Sequence, residues 1–153
     1  MGIKSFIGKR PKAKKGENEQ INVSDYMTRK LIVFQPQQSV LEAMNQLIKN
    51  RISGAPVVNE NQELVGIISE GDCIKQITES RYYNQPIENI TIEEHMIKNV
   101  ETIPGDMNIF DAAEKFLSSK RRRFPIVEEG KLVGQISQKD ILKAALKLKG
   151  HSW

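Results

Sequence analysis

Cysteine, histidine and aromatic residues are scarce in this chain of 153 residues, which holds one cysteine, two histidines, one tryptophan and 6% aromatics in all. A single thiol, Cys73, excludes an internal disulfide, and a reducing cytoplasm is the expected compartment. Without a cysteine pair or an H-E-x-x-H motif, and with His95 and His151 far apart, no zinc site is expected. A G-x-S-x-G nucleophile elbow is absent too, so an enzyme is not expected and no cofactor is required. The two histidines read as surface residues and Cys73 as a small buried hydrophobe. No apolar run reaches the length of a membrane-spanning helix, and nothing resembles a secretory signal. What remains is 39% hydrophobic and 27% charged, the composition of a soluble globular fold: one compact domain, or two small units sharing a core.

Positive charge is plentiful but confined. Residues 1–20 hold Lys4, Lys9, Arg10, Lys12, Lys14 and Lys15 against Glu17 and Glu19, and the other 133 residues carry 17 charges of each sign. The body is therefore neutral and the basic character belongs to the arm, which argues against a general nucleic-acid binder. The arm fits neither a phosphate-binding loop (Gly2 and Gly8 are wrongly spaced and Arg10 follows Lys9) nor a myristoylation site, where Phe6 stands in place of Ser or Thr. It reads as a solvated, flexible segment able to touch RNA, DNA or an acidic partner.

The chain states one pattern twice. "LVGIISEGDCIK" (64–75) and "LVGQISQKDILK" (132–143) match at an offset of 68. Upstream the offset is 69, pairing Met27 with Met96, Ala43 with Ala112, Pro56 with Pro125 and Val58 with Val127. Each copy opens with a short extended segment, "LIVF" (31–34) or "VETI" (100–103), closed by Pro36 or Pro104-Gly105. Ser39 and Asn108 then suit N-caps for helices whose core faces are Val40, Ala43, Met44, Leu47 and Ile48, and Ile109, Ala112, Ala113, Phe116 and Leu117. "APVV" and "FPIV" follow, each joined by a hairpin-length turn to the next strand, and a last helix starts after Ser69 and after Ser137. One β-α-β-β-α unit of this size is marginal alone, because its sheet edge and helix face stay open; two copies docked about a pseudo-twofold axis cover each other. Met27 and Met96 are expected to fill core.

The segments "YMTRKLIVFQPQQSVLEAM" and "NRISGAPVVNENQELVGIISEGD", with their second-repeat partners, resemble the tandem CBS-domain pair, or Bateman module, over roughly residues 23–147. The expected fold is α+β: two β-α-β-β-α CBS repeats packed with pseudo-twofold symmetry behind a flexible basic tail. The expected boundaries are 1–22 for the tail, 23–80 for repeat 1, 81–91 for a linker, 92–148 for repeat 2 and 149–153 for the end. The resemblance implies a non-catalytic regulatory module that takes an adenosine-containing nucleotide (AMP, ADP or ATP, with S-adenosylmethionine disfavoured) in clefts between the repeats. It also implies a homodimer and an unknown protein target. A ligand-free dimerisation module and a protein that meets RNA or DNA through its tail are the alternatives.

The chemistry of the motif agrees. Asp72 and Asp140 each lie three residues after a serine, at the first turn of a helix, where a carboxylate can accept from the vicinal hydroxyls of a ribose. Ser69 and Ser137 sit where a hydroxyl and backbone N–H groups meet a phosphate or ribose oxygen. Ser-x-x-Asp is also a capping box, and the two roles are compatible. The resemblance assigns the adenine wall to Ser53, Gly54 and Ala55 in one cleft and to the Arg123-Phe124 segment in the other. It puts Thr28 to Ile32 opposite Asp140. In "KRRRFP", Arg122 and Arg123 stand where related modules grip phosphate, for which the guanidinium fork is suited, while Lys120 and Arg121 read as a helix end. Repeat 1 has only Lys49 and Arg51 nearby, so the clefts are expected to be unequal in charge.

Overall fold

A computed structural model of the chain describes residues 21–84 and 86–152. The expected tail falls almost wholly outside them, but its last two residues, Ile21 and Asn22, belong to the folded body: Asn22 bridges Asn108, and the Ile109 N–H donates to the Ile21 carbonyl at 2.9 Å.

The two repeats build matching elements. Repeat 1 has helix α1 (Val40–Asn50), strands β1 (Gly54–Val58) and β2 (Leu64–Ser69), and helix α2 (Glu70–Tyr83). A 3-10 turn (Ile87–Asn89) and the short α3 (Ile92–His95) lead into repeat 2: α4 (Ile109–Ser119), β3 (Arg123–Glu128), β4 (Lys131–Ser137) and α5 (Gln138–Ser152). Helix α2 thus runs past the expected boundary at residue 80, and α5 past that at 148.

Local chemistry starts and stops these elements. The Ser39 hydroxyl accepts from the Glu42 N–H at 3.1 Å while the Glu42 carboxylate accepts from the Ser39 N–H at 3.0 Å, a complete capping box. Asn108 caps α4 through the Phe110 N–H at 2.7 Å. Arg51 and Lys120 end α1 and α4 in the left-handed conformation, with φ of 54° and 59°. In both hairpins the register shifts at the same point, Val57/Val58 and Ile126/Val127. Glu129 and Gly130, both at positive φ, close the tighter β3–β4 turn in the manner of a type I′ hairpin.

The expected first strand of each repeat shrinks to a single parallel bridge, Phe34 to Val57 and Ile103 to Ile126. Pro36 and Pro104 follow too closely for the ladder to lengthen. The outer edge of each hairpin is closed from the other repeat instead: Thr28 bridges Gln135 of β4, and Ile97 bridges Ile67 of β2.

That exchange organises both cores. One contains Phe34, Val40, Ala43, Leu47, Ala55, Val57, Ile68 and Cys73 of repeat 1 together with Ile90 and Ile92 from the segment leading into repeat 2. The other contains Ile103, Ile109, Ala112, Phe116, Phe124, Ile126, Ile136 and Ala144 together with Val23 and Met27 from the start of repeat 1. The backbone bonds obey the same offset: Val23 to Met107 is matched by Ile92 to Gln38, and Ser24 to Gly105 by Glu93 to Pro36. Met27 does fill core in the opposite repeat, while Met96 is half-buried and packs against the core of repeat 1. Gly66 and Gly134 make room for them. A Cβ on Gly134 would stand 2.7 Å from Met27 Sδ and 2.9 Å from the Thr28 carbonyl oxygen, closer than packed atoms approach.

Two expectations are corrected. Ile48 and Leu117 are not core residues but 78% and 83% exposed, because the buried arc of each helix ends at Leu47 and Phe116. His95 is not a plain surface residue: its Nδ1 lies 2.9 Å from Nε2 of the buried Gln76, which also donates to Glu79, tying α3 to α2.

Candidate functional site

Two equivalent strand-to-helix junctions gather most of the expected residues. At the end of β2, Asp72 Oδ2 accepts from the Ser69 N–H and from its hydroxyl, both at 2.9 Å, while Ser69 Oγ accepts from the Asp72 N–H at 3.3 Å. At the end of β4, Asp140 Oδ2 accepts from the Ser137 N–H at 2.8 Å and its hydroxyl at 3.1 Å, with the same return bond. The capping boxes are therefore real. Each uses one carboxylate oxygen; no bond to either Oδ1 is found among the described residues. Asp140 is 8% exposed, against a half-buried Asp72. The second oxygen of Asp140 keeps solvent access, since it is not among the buried acceptors left without a partner, and is free to accept hydroxyls from a ligand.

The strand starts lie directly beside these junctions. Gly54 pairs with Ser69 and Arg123 with Ser137 in the hairpin registers. The Glu70 N–H donates to the Ser53 carbonyl at 2.9 Å and the Gln138 N–H to that of Arg122 at 3.3 Å, so each helix start is locked to the loop before its strand. Glu70 and Gln138 were not singled out from the sequence, although the repeat offset pairs them. Gly54 has a packing reason to be small: a Cβ there would lie 3.2 Å from the Ile68 carbonyl oxygen. Thr28 is held against Gln135 by two backbone bonds of 2.8 and 3.0 Å, two residues before Ser137, and Ile32 follows it, 37% exposed.

Other expected residues are placed differently. Phe124 is fully buried in the second core, its ring 4.8 Å from that of Phe116, and Ala55 is buried in the first. Arg121 does not serve a helix end. It binds Glu101 at 3.0 Å, and Lys115 binds the same carboxylate at 2.6 Å; bonding to these cations, Lys115 foremost, holds the Glu101 carboxyl below its ordinary range. Lys120, the residue after α4, is the helix end itself. The Arg122 side chain is exposed. Arg123 is half-buried, and its Nη2 donates to Ser53 Oγ of the other repeat at 2.9 Å. Burial, then the charge of Arg122, pushes its pKa down, and Glu70 opposes the shift.

An open hollow of about 580 Å³ lies elsewhere, on one face of α4, lined by Asp111, Glu114, Lys115, Leu117 and Ser118. One helix face without convergent polar groups from a second element is a poor site, and the two junctions are the better candidates. Among the described residues there is no cluster of three metal-ligating side chains, and no helix is long and apolar enough to cross a membrane.

Two α-β-β-α units, each entered through a single parallel bridge and sharing exchanged cores, with a Ser-x-x-Asp junction apiece, define a tandem repeat module, and comparison gives its family. The CBS domain matches residues 23–79 and again 91–147, and the chain belongs to the CBS-domain family as a tandem pair. CBSX1, a chloroplastic CBS domain-containing protein of Arabidopsis thaliana, is 33% identical over 83% of this chain and 65% of its own length. The crystal structure of CBSX2 in complex with AMP superposes with a TM-score of 0.74 at 30% identity, covering 84% of this chain and 98% of that one. The CBS pair of MJ0100, in complex with 5-methylthioadenosine and S-adenosyl-L-methionine, gives 0.69 at 28% identity, covering 85% and 99%. The chain spans less than two thirds of the length of several curated relatives it matches.

Proposed function

We propose that the chain is a non-catalytic regulatory module that binds an adenosine nucleotide of the AMP, ADP or ATP class between its repeats and signals to a protein partner in a reducing cytoplasm. The observation that carries this reading is Asp140: a buried carboxylate at a helix start, one oxygen unengaged, beside the exposed cation Arg122. The AMP bound by CBSX2 supports this class, while the 5-methylthioadenosine and S-adenosyl-L-methionine bound by the MJ0100 pair support only the coarser reading of an adenosine-containing ligand. Ligand binding would act by favouring one relative setting of the repeats, to the extent that its affinity for two settings differs. A homodimer is part of the proposal, because Ile48, Ile74, Leu117, Leu142 and Leu146 leave 62–83% of their surface exposed on α1, α2, α4 and α5. Those faces also favour a second reading, a dimerisation module whose clefts stay empty.

Thermal unfolding with AMP, ADP, ATP and S-adenosylmethionine in parallel separates the two. A ligand at 100 times its dissociation constant adds about 2.7 kcal/mol, or about 5–10 °C for a domain of this size. A selective shift that Asp72→Ala or Asp140→Ala abolishes supports the sensor. No shift with any of the four, in protein shown to carry no co-purified ligand, leaves the dimerisation module.

A further inference from the structure

The outward faces of α4 and α5 sort their charges by sign. On α4, Asp111 and Glu114 are exposed beside Phe110 and Leu117, and the helix's own lysine, Lys115, is bound to Glu101. On α5, Lys139, Lys143, Lys147 and Lys149 are exposed around Leu142 and Leu146, while Asp140 is buried in the junction. Asp111, Glu114, Lys143 and Lys147 form no ion pair among the described residues. The two helices pack on one another, so repeat 2 presents one acidic and one basic helix side by side. Repeat 1 is different. Its α1 exposes Glu42 and Lys49, and its α2 exposes Glu70 with Lys75 and Arg81, so each helix mixes both signs.

We infer that the chain pairs with a second copy of itself repeat 2 to repeat 2, the acidic α4 of each copy lying on the basic α5 of the other. This rests on the homodimer reading above and deepens it, because exposed apolar residues on all four helices leave the orientation of the two copies open. A twofold contact sets a patch against its own copy, so the patch must complement itself. Repeat 2 does so twice over: Asp111 and Glu114 face the lysines of the partner's α5, and Leu117 meets its leucines. The open hollow along α4, lined by Asp111, Glu114, Leu117 and Ser118, is where that helix seats. Turning one copy end for end would set the α5 lysines against Lys49 of α1 or against Lys75 and Arg81 of α2, and like charges brought together in a contact are costly. Apolar area holds the copies together, and charge chooses how they face.

The test is sedimentation velocity of the full chain with two charge-reversed variants, Asp111→Lys with Glu114→Lys and Lys143→Glu with Lys147→Glu. Each variant alone is expected to dimerise at least about tenfold more weakly than the unaltered chain, since every reversal counts at both symmetry-related contacts. An equimolar mixture is expected to recover a dimer of near the original strength, because the reversed α4 of one variant then meets the reversed α5 of the other, and the unaltered pair of helices meets as before. Asp111 lies in the first turn of α4, where a cation is unfavourable, so Glu114→Lys alone replaces the double variant if that one does not fold. In the end-for-end arrangement repeat 2 faces repeat 1, and mixing restores nothing. Variants that dimerise as strongly as the unaltered chain, or weakened ones that mixing does not rescue, overturn the orientation and leave the homodimer standing. An unaltered chain that sediments as a monomer overturns both and gives the helix face to another partner.

Discussion

Gly134→Ala tests the interlock on which everything else depends. The added methyl would meet Met27 Sδ at 2.7 Å, Met27 Cγ at 3.1 Å and the Thr28 carbonyl oxygen at 2.9 Å. The thioether can swing, but the carbonyl is fixed by the paired bonds between Thr28 and Gln135. Overpacking of this kind costs about 1–3 kcal/mol, and each backbone bond lost from the bridge about 0.5–1.5 more. The expected loss is about 3 kcal/mol, lowering the melting temperature by about 6–12 °C. Equilibrium urea unfolding followed by circular dichroism reads it directly, with an unchanged slope showing that the same surface unfolds. Gly66→Ala should behave alike, since its Cβ would meet Met96 and the Ile97 carbonyl oxygen. Gly71→Ala is the control: its Cβ meets only Ser69 Oγ, at 3.8 Å, and helix propensity should make it neutral or stabilising by up to about 1 kcal/mol. If Gly134→Ala costs no more than Gly71→Ala, the reasoning about the exchanged segments is wrong.

Leu117→Glu with Leu146→Glu should turn a dimer into a monomer in sedimentation velocity with little change in the unfolding midpoint of the monomer, as both side chains are exposed in the single chain. Burial first, then Asp72 and Glu70, raises the Cys73 thiol above its ordinary pKa, so iodoacetamide should label it slowly in the native protein and rapidly in urea. Because the folded state holds that proton more tightly, the thiol's contribution is present at neutral pH and lost as pH rises through the raised value; Cys73→Ala should flatten that alkaline decline. Glu101 has the opposite sign. Its lowered carboxyl contributes above the ordinary carboxylate range and ceases to as pH falls through the lowered value, so Glu101→Gln should reduce the acid sensitivity of the melting temperature, and less so in high salt.

Much of this was legible in the sequence because it is local. The Ser39 and Asn108 caps, the helix starts after Ser69 and Ser137, and both hairpins follow from residues within four positions of one another, and repetition at a fixed offset doubled each signal. What was not legible is long-range. Periodicity places Ile48 and Leu117 on an apolar stripe but cannot say whether the stripe meets this chain or another surface. The pairing of Met27 with Met96 shows equivalent roles without showing that each packs on the other repeat's core. Arg123 is the same case at the site: alignment of the repeats fixes its backbone beside Ser137, but only the fold carries its guanidinium to Ser53.

The exchange also sets an order of events during synthesis. Residues 21–28 are made well before the strand they bridge, β4, and before the repeat-2 residues of the core that holds Val23 and Met27. Repeat 1 must likewise wait for Ile90, Ile92 and Ile97 before its own core and β2 edge are covered. Neither repeat can therefore finish its core alone, and the contacts that join residues 21–28 to repeat 2 span a high sequence separation, which slows folding and leaves apolar segments uncovered until repeat 2 has been made.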